Sequence, residues 1–104
     1  MSEKKKLVRA NFRNEVFKRD GHKCKMCNWN EALDKLDAHH ITDRTLMPNG
    51  GYVKENGISL CPECHIKAEQ FHTTGTSYLG YSPEELYVKI GSNHGLAISK
   101  SERL

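Results

Sequence analysis

Two Cys-x-x-Cys pairs and a set of histidines between and beside them are the residues of this chain best suited to chemistry. Cys24 and Cys27 form the first pair; Cys61 and Cys64 form the second, with His65 directly after it. Between the pairs lie His39 and His40, near the end of the segment Leu36-Asp37-Ala38-His39-His40-Ile41, and Asn56, which opens a second segment running to Leu60. Four thiolates suit a tetrahedral zinc ion, and a two-residue spacing lets a tight knuckle turn both sulfurs toward it while backbone amides support their charge. With all four positions filled by thiolate, that zinc is structural. Two disulfides are the competing use of four cysteines. Nothing here reads as a signal peptide, however, and the paired spacing favours the metal. The 33 residues between Cys27 and Cys61 exceed what a compact zinc ribbon needs, and the insert holds the histidine pair.

The histidines describe a second centre. Adjacent residues of a strand point to opposite faces, so His39 and His40 cannot share one role: one can bind a metal while its neighbour accepts a proton. His65 offers another ligand. Glu69 and His72, one and two turns further along the same helical face, compete to be the third. Nitrogen and oxygen ligands with open positions suit a catalytic divalent ion that holds phosphate oxygens and water.

These side chains need a frame. Val8, Phe12 and Val16 recur every four residues, which predicts a helix over residues 7–18 that buries its Phe/Val face, leaves Arg9 and Arg13 outside, and stops near Gly21. Met26 and Trp29 are expected to cover the zinc knuckle. Residues 36–41 and 57–60 predict two strands, joined by a polar loop containing Pro48-Asn49-Gly50-Gly51. Pro62 suits the first position of a helix reaching about residue 72. Ser82-Pro83-Glu84-Glu85 is a capping box that opens a short helix ending at Gly91. The expected organisation is a basic disordered arm over residues 1–6, one domain over residues 7–91 and a tail over residues 92–104 without a clear signal.

Composition narrows the partners. Of the 104 residues 37% are hydrophobic, too few for a large core, so a structural metal would add needed stability. Residues 1–25 hold nine Lys/Arg against three acids, whereas the remainder holds seven against ten; the first quarter is +6 and the rest −3. A basic segment suits a polyanion, whose condensed counterions are released on contact. Nothing in the sequence reads as a membrane span, which suggests a cytoplasmic protein.

Taken in order, Phe12-Arg13, Arg19-Asp20-Gly21, Cys24-x-x-Cys27, Asp37-Ala38-His39-His40-Ile41, Gly50-Gly51, Asn56 and Cys61-x-x-Cys64-His65 resemble the HNH endonucleases, in particular their four-cysteine form. The resemblance covers residues 12–72 and includes the eight residues between Asn56 and His65. It implies an α+β fold: a ββα-metal core over about residues 36–72 with an N-terminal helix, a zinc knuckle and a short C-terminal helix. It further implies a DNA endonuclease in which His40 is the general base, His39 and His65 ligate a catalytic divalent ion (Mg²⁺, Mn²⁺, Ni²⁺ or Zn²⁺), and Asn56 ties the interstrand loop. Products would carry 5′-phosphates. Glu69 is the favoured helix ligand over His72; Asp37 is either a partner for a histidine or a solvated strand end. Asp43-Arg44 either contacts DNA or braces the loop, and Arg9, Arg13, Lys18 and Arg19 are expected to meet phosphates. The compact form is similar to phage-borne HNH proteins, which would put it in a host cytoplasm beside a packaging partner or a second copy of itself. The competing reading is a non-catalytic, zinc-stabilised nucleic-acid-binding module.

Overall fold

The computed structural model describes residues 2–104. Its frame is a two-stranded antiparallel sheet, β1 (Asp37–His40) and β2 (Gly57–Leu60), paired Asp37 to Leu60, Ala38 to Ser59, His39 to Ile58 and His40 to Gly57. Helix α1 (Glu3–Arg19) and helix α2 (Pro62–Thr74) both pack on this sheet. Two shorter helices, α3 (Pro83–Lys89) and α4 (His94–Ser101), complete an α+β fold.

Phe12 and Val16 of α1 are buried, as their spacing predicts. They come so close to β2 that a Cβ on Gly57 would lie 2.6–2.7 Å from their side chains. Glycine at this position is therefore what lets the helix close on the sheet. The helix ends at Asp20, and Gly21 turns the chain with φ +72°.

The stretch read as an N-terminal arm, residues 1–6, overlaps α1, and its residue 1 lies outside the described residues. Helix α1 begins at Glu3, inside the stretch expected to be disordered, because the Ser2 hydroxyl accepts from the Lys5 amide at 3.2 Å. Glu3 in the first turn and Lys18 and Arg19 in the last also complement the helix dipole. The C-terminal stretch, residues 92–104, carries a further helix. Residues 94–101 form α4, capped by Asn93, whose Oδ1 accepts from the Leu96 amide at 2.8 Å. Ala97 and Ser101 are buried, and Asn49 Nδ2 donates to the Ser101 carbonyl at 3.0 Å, so this helix backs the loop between the strands.

That loop is a chain of 3-10 turns at Arg44–Leu46, Pro48–Gly51 and Lys54–Asn56. The expected capping box forms at Ser82 and Glu85, with amide-to-side-chain distances of 3.2 and 3.3 Å. The core gathers Leu36, Ile41, Ile58, Leu60 and Leu86 around the sheet. Among the described residues no helix is long and apolar enough to cross a membrane.

Candidate functional site

The four cysteines converge. Their sulfurs lie within 4.8 Å of one another, all four are free thiols, and Cys27 Sγ is 3.7 Å from Cys61 Sγ. The first pair sits in a knuckle closed by hydrogen bonds from the Asn28 amide to the Cys24 carbonyl (2.8 Å) and from the Cys24 amide to the Trp29 carbonyl (2.9 Å). Asn28 takes the left-handed turn at φ 65°, which asparagine tolerates well. The Lys25 amide donates to the Ser59 carbonyl at 2.8 Å and so ties the knuckle to β2. Cys61 is the N-cap of α2, its sulfur accepting from the Cys64 amide at 3.5 Å, and Tyr81 Oη donates to Cys64 Sγ at 3.2 Å. Met26 and Trp29 are partly buried against the hydrophobic core, of which Cys24, Cys61 and Cys64 are members. This donor set fits a structural zinc ion, which would join the end of β2 to the start of α2.

The alternation of β1 sends its two histidines apart. His39, only 2% exposed, faces α2. Its Nδ1 lies 3.3 Å from Glu69 Oε1, and the same oxygen lies 3.3 Å from His65 Nε2. The ligand atoms of His39, His65 and Glu69 fall within 4.8 Å of one another. His65 Nδ1 meets Asp37 Oδ2 at 3.1 Å, so Asp37 orients that ring. Neither nitrogen of His39 has an aligned hydrogen-bond partner. Burial, reinforced by His65 and His72, pushes its pKa down to about 2, which keeps the imidazole neutral. A buried, partnerless pair of nitrogens is costly unless one of them binds a metal, so the three side chains fit a divalent ion. Glu69 is half exposed, which opens the cluster to solvent. His72 is engaged elsewhere: it stacks on His39 with ring centroids 5.2 Å apart, and its Nε2 donates to the His40 carbonyl at 2.9 Å.

His40 faces α1. It stacks on Phe12 at 4.6 Å and meets the edge of Tyr52 at 4.7 Å, and its Nε2 is buried without a partner. Burial, then the nearby Arg44 charge, lowers its pKa to about 4. The ring is neutral at physiological pH and can accept a proton.

Asn56 is wholly buried and all its amide groups are used. Its Oδ1 accepts from the Thr42 amide (3.0 Å) and the Tyr87 hydroxyl (2.7 Å), and its Nδ2 donates to the Thr42 and Gly51 carbonyls (3.1 and 3.2 Å). The loop that follows His40 is thereby tied to the start of β2. Gly51, at φ +67°, has no room for a side chain, since a Cβ would lie 2.7 Å from Asn56 Nδ2.

Of the basic residues, Lys18 and Arg13 are exposed, Arg13 lying over the Phe17 ring, and Arg9 lies over the Tyr52 ring at 5.2 Å. Arg19 is held by partners within the fold. It grips Asp20 at 2.8 and 2.9 Å and donates to the Lys54 and Gly57 carbonyls, both at 2.6 Å, so four of its five N–H donors are used inside the fold. Asp43 and Arg44 brace the loop, Asp43 Oδ2 accepting from Thr45 and Arg44 Nη1 donating to the Tyr52 hydroxyl at 2.9 Å.

With this geometry in place, comparison with known families is decisive for residues 24–71, which match the model of the HNH endonucleases. The chain carries an HNH domain. No curated protein and no solved structure matches it.

The HNH match contains both cysteine pairs, the strand histidines, Asn56, His65 and Glu69. It leaves out α1, α3 and α4, and two of the groups that hold the HNH elements in place come from those parts. Tyr87 of α3 reaches Asn56, and Asp20 at the end of α1 accepts from the Ser59 amide of β2 at 2.9 Å. Asp20 had a signal in the Arg19-Asp20-Gly21 run. Tyr87 had none beyond an aromatic in a short helix.

Proposed function

We propose that this chain is a metal-dependent DNA endonuclease that hydrolyses phosphodiester bonds with little intrinsic sequence preference. The observation that carries the reading is His39: a buried imidazole without hydrogen-bond partners, set against His65 and Glu69 and one residue from a second, neutral histidine.

In this reading His39, His65 and Glu69 hold the divalent ion, and Asp37 fixes the His65 ring. When bound, the ion supplies Lewis-acid polarisation of the scissile phosphate and stabilisation of charge on the departing 3′ oxygen. His40 accepts the proton of the attacking water as general base, with its ring steadied by Phe12 and Tyr52. Asn56 and His72 act as positioning residues, Asn56 through the loop after His40 and His72 through the His40 carbonyl. The zinc stands apart from the chemistry and keeps the start of α2, and with it His65, in register with β1.

The test is plasmid nicking by wild type and His40→Ala at matched zinc content, with Mg²⁺, Mn²⁺, Ni²⁺ or Zn²⁺ added in turn. Metal-dependent nicking that the folded variant loses by about a hundredfold or more supports the reading. Intact plasmid under every ion, or equal nicking by both proteins, overturns it.

A further inference from the structure

Across Tyr52 from His40 lies a groove that, of the residues weighed for DNA contact, takes in Arg9 and Arg44. It has a volume of about 550 Å³ and runs between the first turns of α1 and the loop after β1. Lys4, Lys5, Arg9 and Arg44 line it, and among the described residues no acidic side chain does. The neighbouring hollow across Tyr52 is different, mixing Glu15 and Glu55 with its basic residues. Charge thus favours one side of Tyr52 for an anion.

Tyr52 sits where the groove meets the site. His40 touches its edge, Arg9 covers its face at 5.2 Å, and Arg44 holds its hydroxyl at 2.9 Å. The covered face makes Tyr52 a poor platform for stacking a base. What it provides is a fixed mount for two guanidinium groups, whose ordering cost is met before any ligand arrives. Gly50 is matched to this arrangement: a Cβ there would lie 2.7 Å from the Tyr52 ring.

We infer that this groove is the track for the sugar-phosphate backbone of one strand of duplex DNA, with Arg9 and Arg44 as preset phosphate clamps beside His40 and Lys4 and Lys5 as mobile contacts farther out. The inference rests on the nucleic-acid reading above but not on catalysis. Contacts of this kind position a duplex without reading its sequence.

The experiment measures binding of a labelled duplex of mixed sequence, without added divalent ion, as KCl rises from about 50 to about 200 mM. It compares wild type with Lys4→Gln/Lys5→Gln/Arg44→Gln and with Lys23→Gln/Lys35→Gln/Lys89→Gln, which removes the same charge at exposed positions outside the groove. Circular dichroism melts confirm that each protein is folded. The groove variant should lose about two to three units of the log K against log salt slope, and the control should keep the wild-type slope. A wild-type slope in the groove variant, or equal losses in both, overturns the inference. Nicking by the same proteins separates the two readings: groove-dependent binding without any cleavage keeps the track and sinks the nuclease, whereas cleavage with groove-independent binding does the reverse.

Discussion

Tyr87 and Asn56, 31 positions apart in the chain, share a buried hydrogen bond of 2.7 Å in which the phenol donates to the amide oxygen. Because that proton is spent on Asn56, the Thr42 hydroxyl must donate to the phenol oxygen, at 2.6 Å. A helix outside the family-matched segment therefore helps to set the asparagine within it. Tyr87→Phe keeps the buried ring but removes the donor. It should cost about 1–2 kcal/mol, because Asn56 retains its bonds to Thr42 and Gly51 while the Thr42 hydroxyl loses its partner. Urea unfolding of both proteins checks this; an unchanged midpoint would show that the bond contributes nothing.

Arg19 and Asp20 form a partly buried unit linking α1, β2 and the turn before it. Arg19→Ala leaves the Asp20 carboxylate buried without its counter-charge, and the expected loss is about 3 kcal/mol. Arg19→Lys should recover little of it, since a single ammonium cannot span Asp20 and two carbonyls. Thermal melts of the two variants settle the point: a lysine variant as stable as wild type would show that only the charge is needed.

The depressed pKa of His40 has a consequence for stability. Its unfolded value is near the ordinary 6.5 and its folded value is about 4, so as pH falls through this interval the unfolded chain takes up a proton that the folded chain refuses. The contribution is fully present above about pH 6.5 and drains away toward pH 4, by at most about 3 kcal/mol. Urea titrations at about pH 7 and about pH 5 should show a larger loss for wild type than for His40→Gln. Equal losses would mean that His40 titrates normally in the folded protein.

Zinc should be inseparable from the fold. Serine at Cys24 or Cys64 is expected to abolish binding of a single zinc equivalent and with it the cooperative unfolding transition, and a strong chelator should do the same to wild type. Metal analysis and circular dichroism on the same samples provide the check. A folded, zinc-free Cys64→Ser protein would show that the thiolate cluster is dispensable.

What the sequence made legible was local. Cys-x-x-Cys spacing, the capping box at Ser82 and the alternation of His39 and His40 are relations between near neighbours, and each appears in the structure where the residues place it. Helix α1 was missed over its first turn because Lys4, Lys5 and Lys6 repel one another in a sequence reading, while the Ser2 cap and Glu3 that offset them are single residues. Helix α4 escaped notice because it is short and owes its place to Ala97 and Ser101 fitting under the interstrand loop. Arg19 looked like any other cation in a basic quarter. Only the folded chain brings the Lys54 and Gly57 carbonyls to it.

The pairing of β1 with β2 places two neighbouring imidazoles on opposite sides of a four-residue strand, against different helices. A side-chain exchange at either position disturbs one face only. Losing or gaining one codon upstream in β1 would instead rotate the whole pattern, presenting His40 to α2 and its neighbour to α1. Mutational change in this protein should therefore be asymmetric: length can drift in the exposed stretch at Leu79, ahead of Tyr81, whereas the spacing from Asp37 to His40 is closed to insertion and deletion even where the replaced amino acids would have been tolerated.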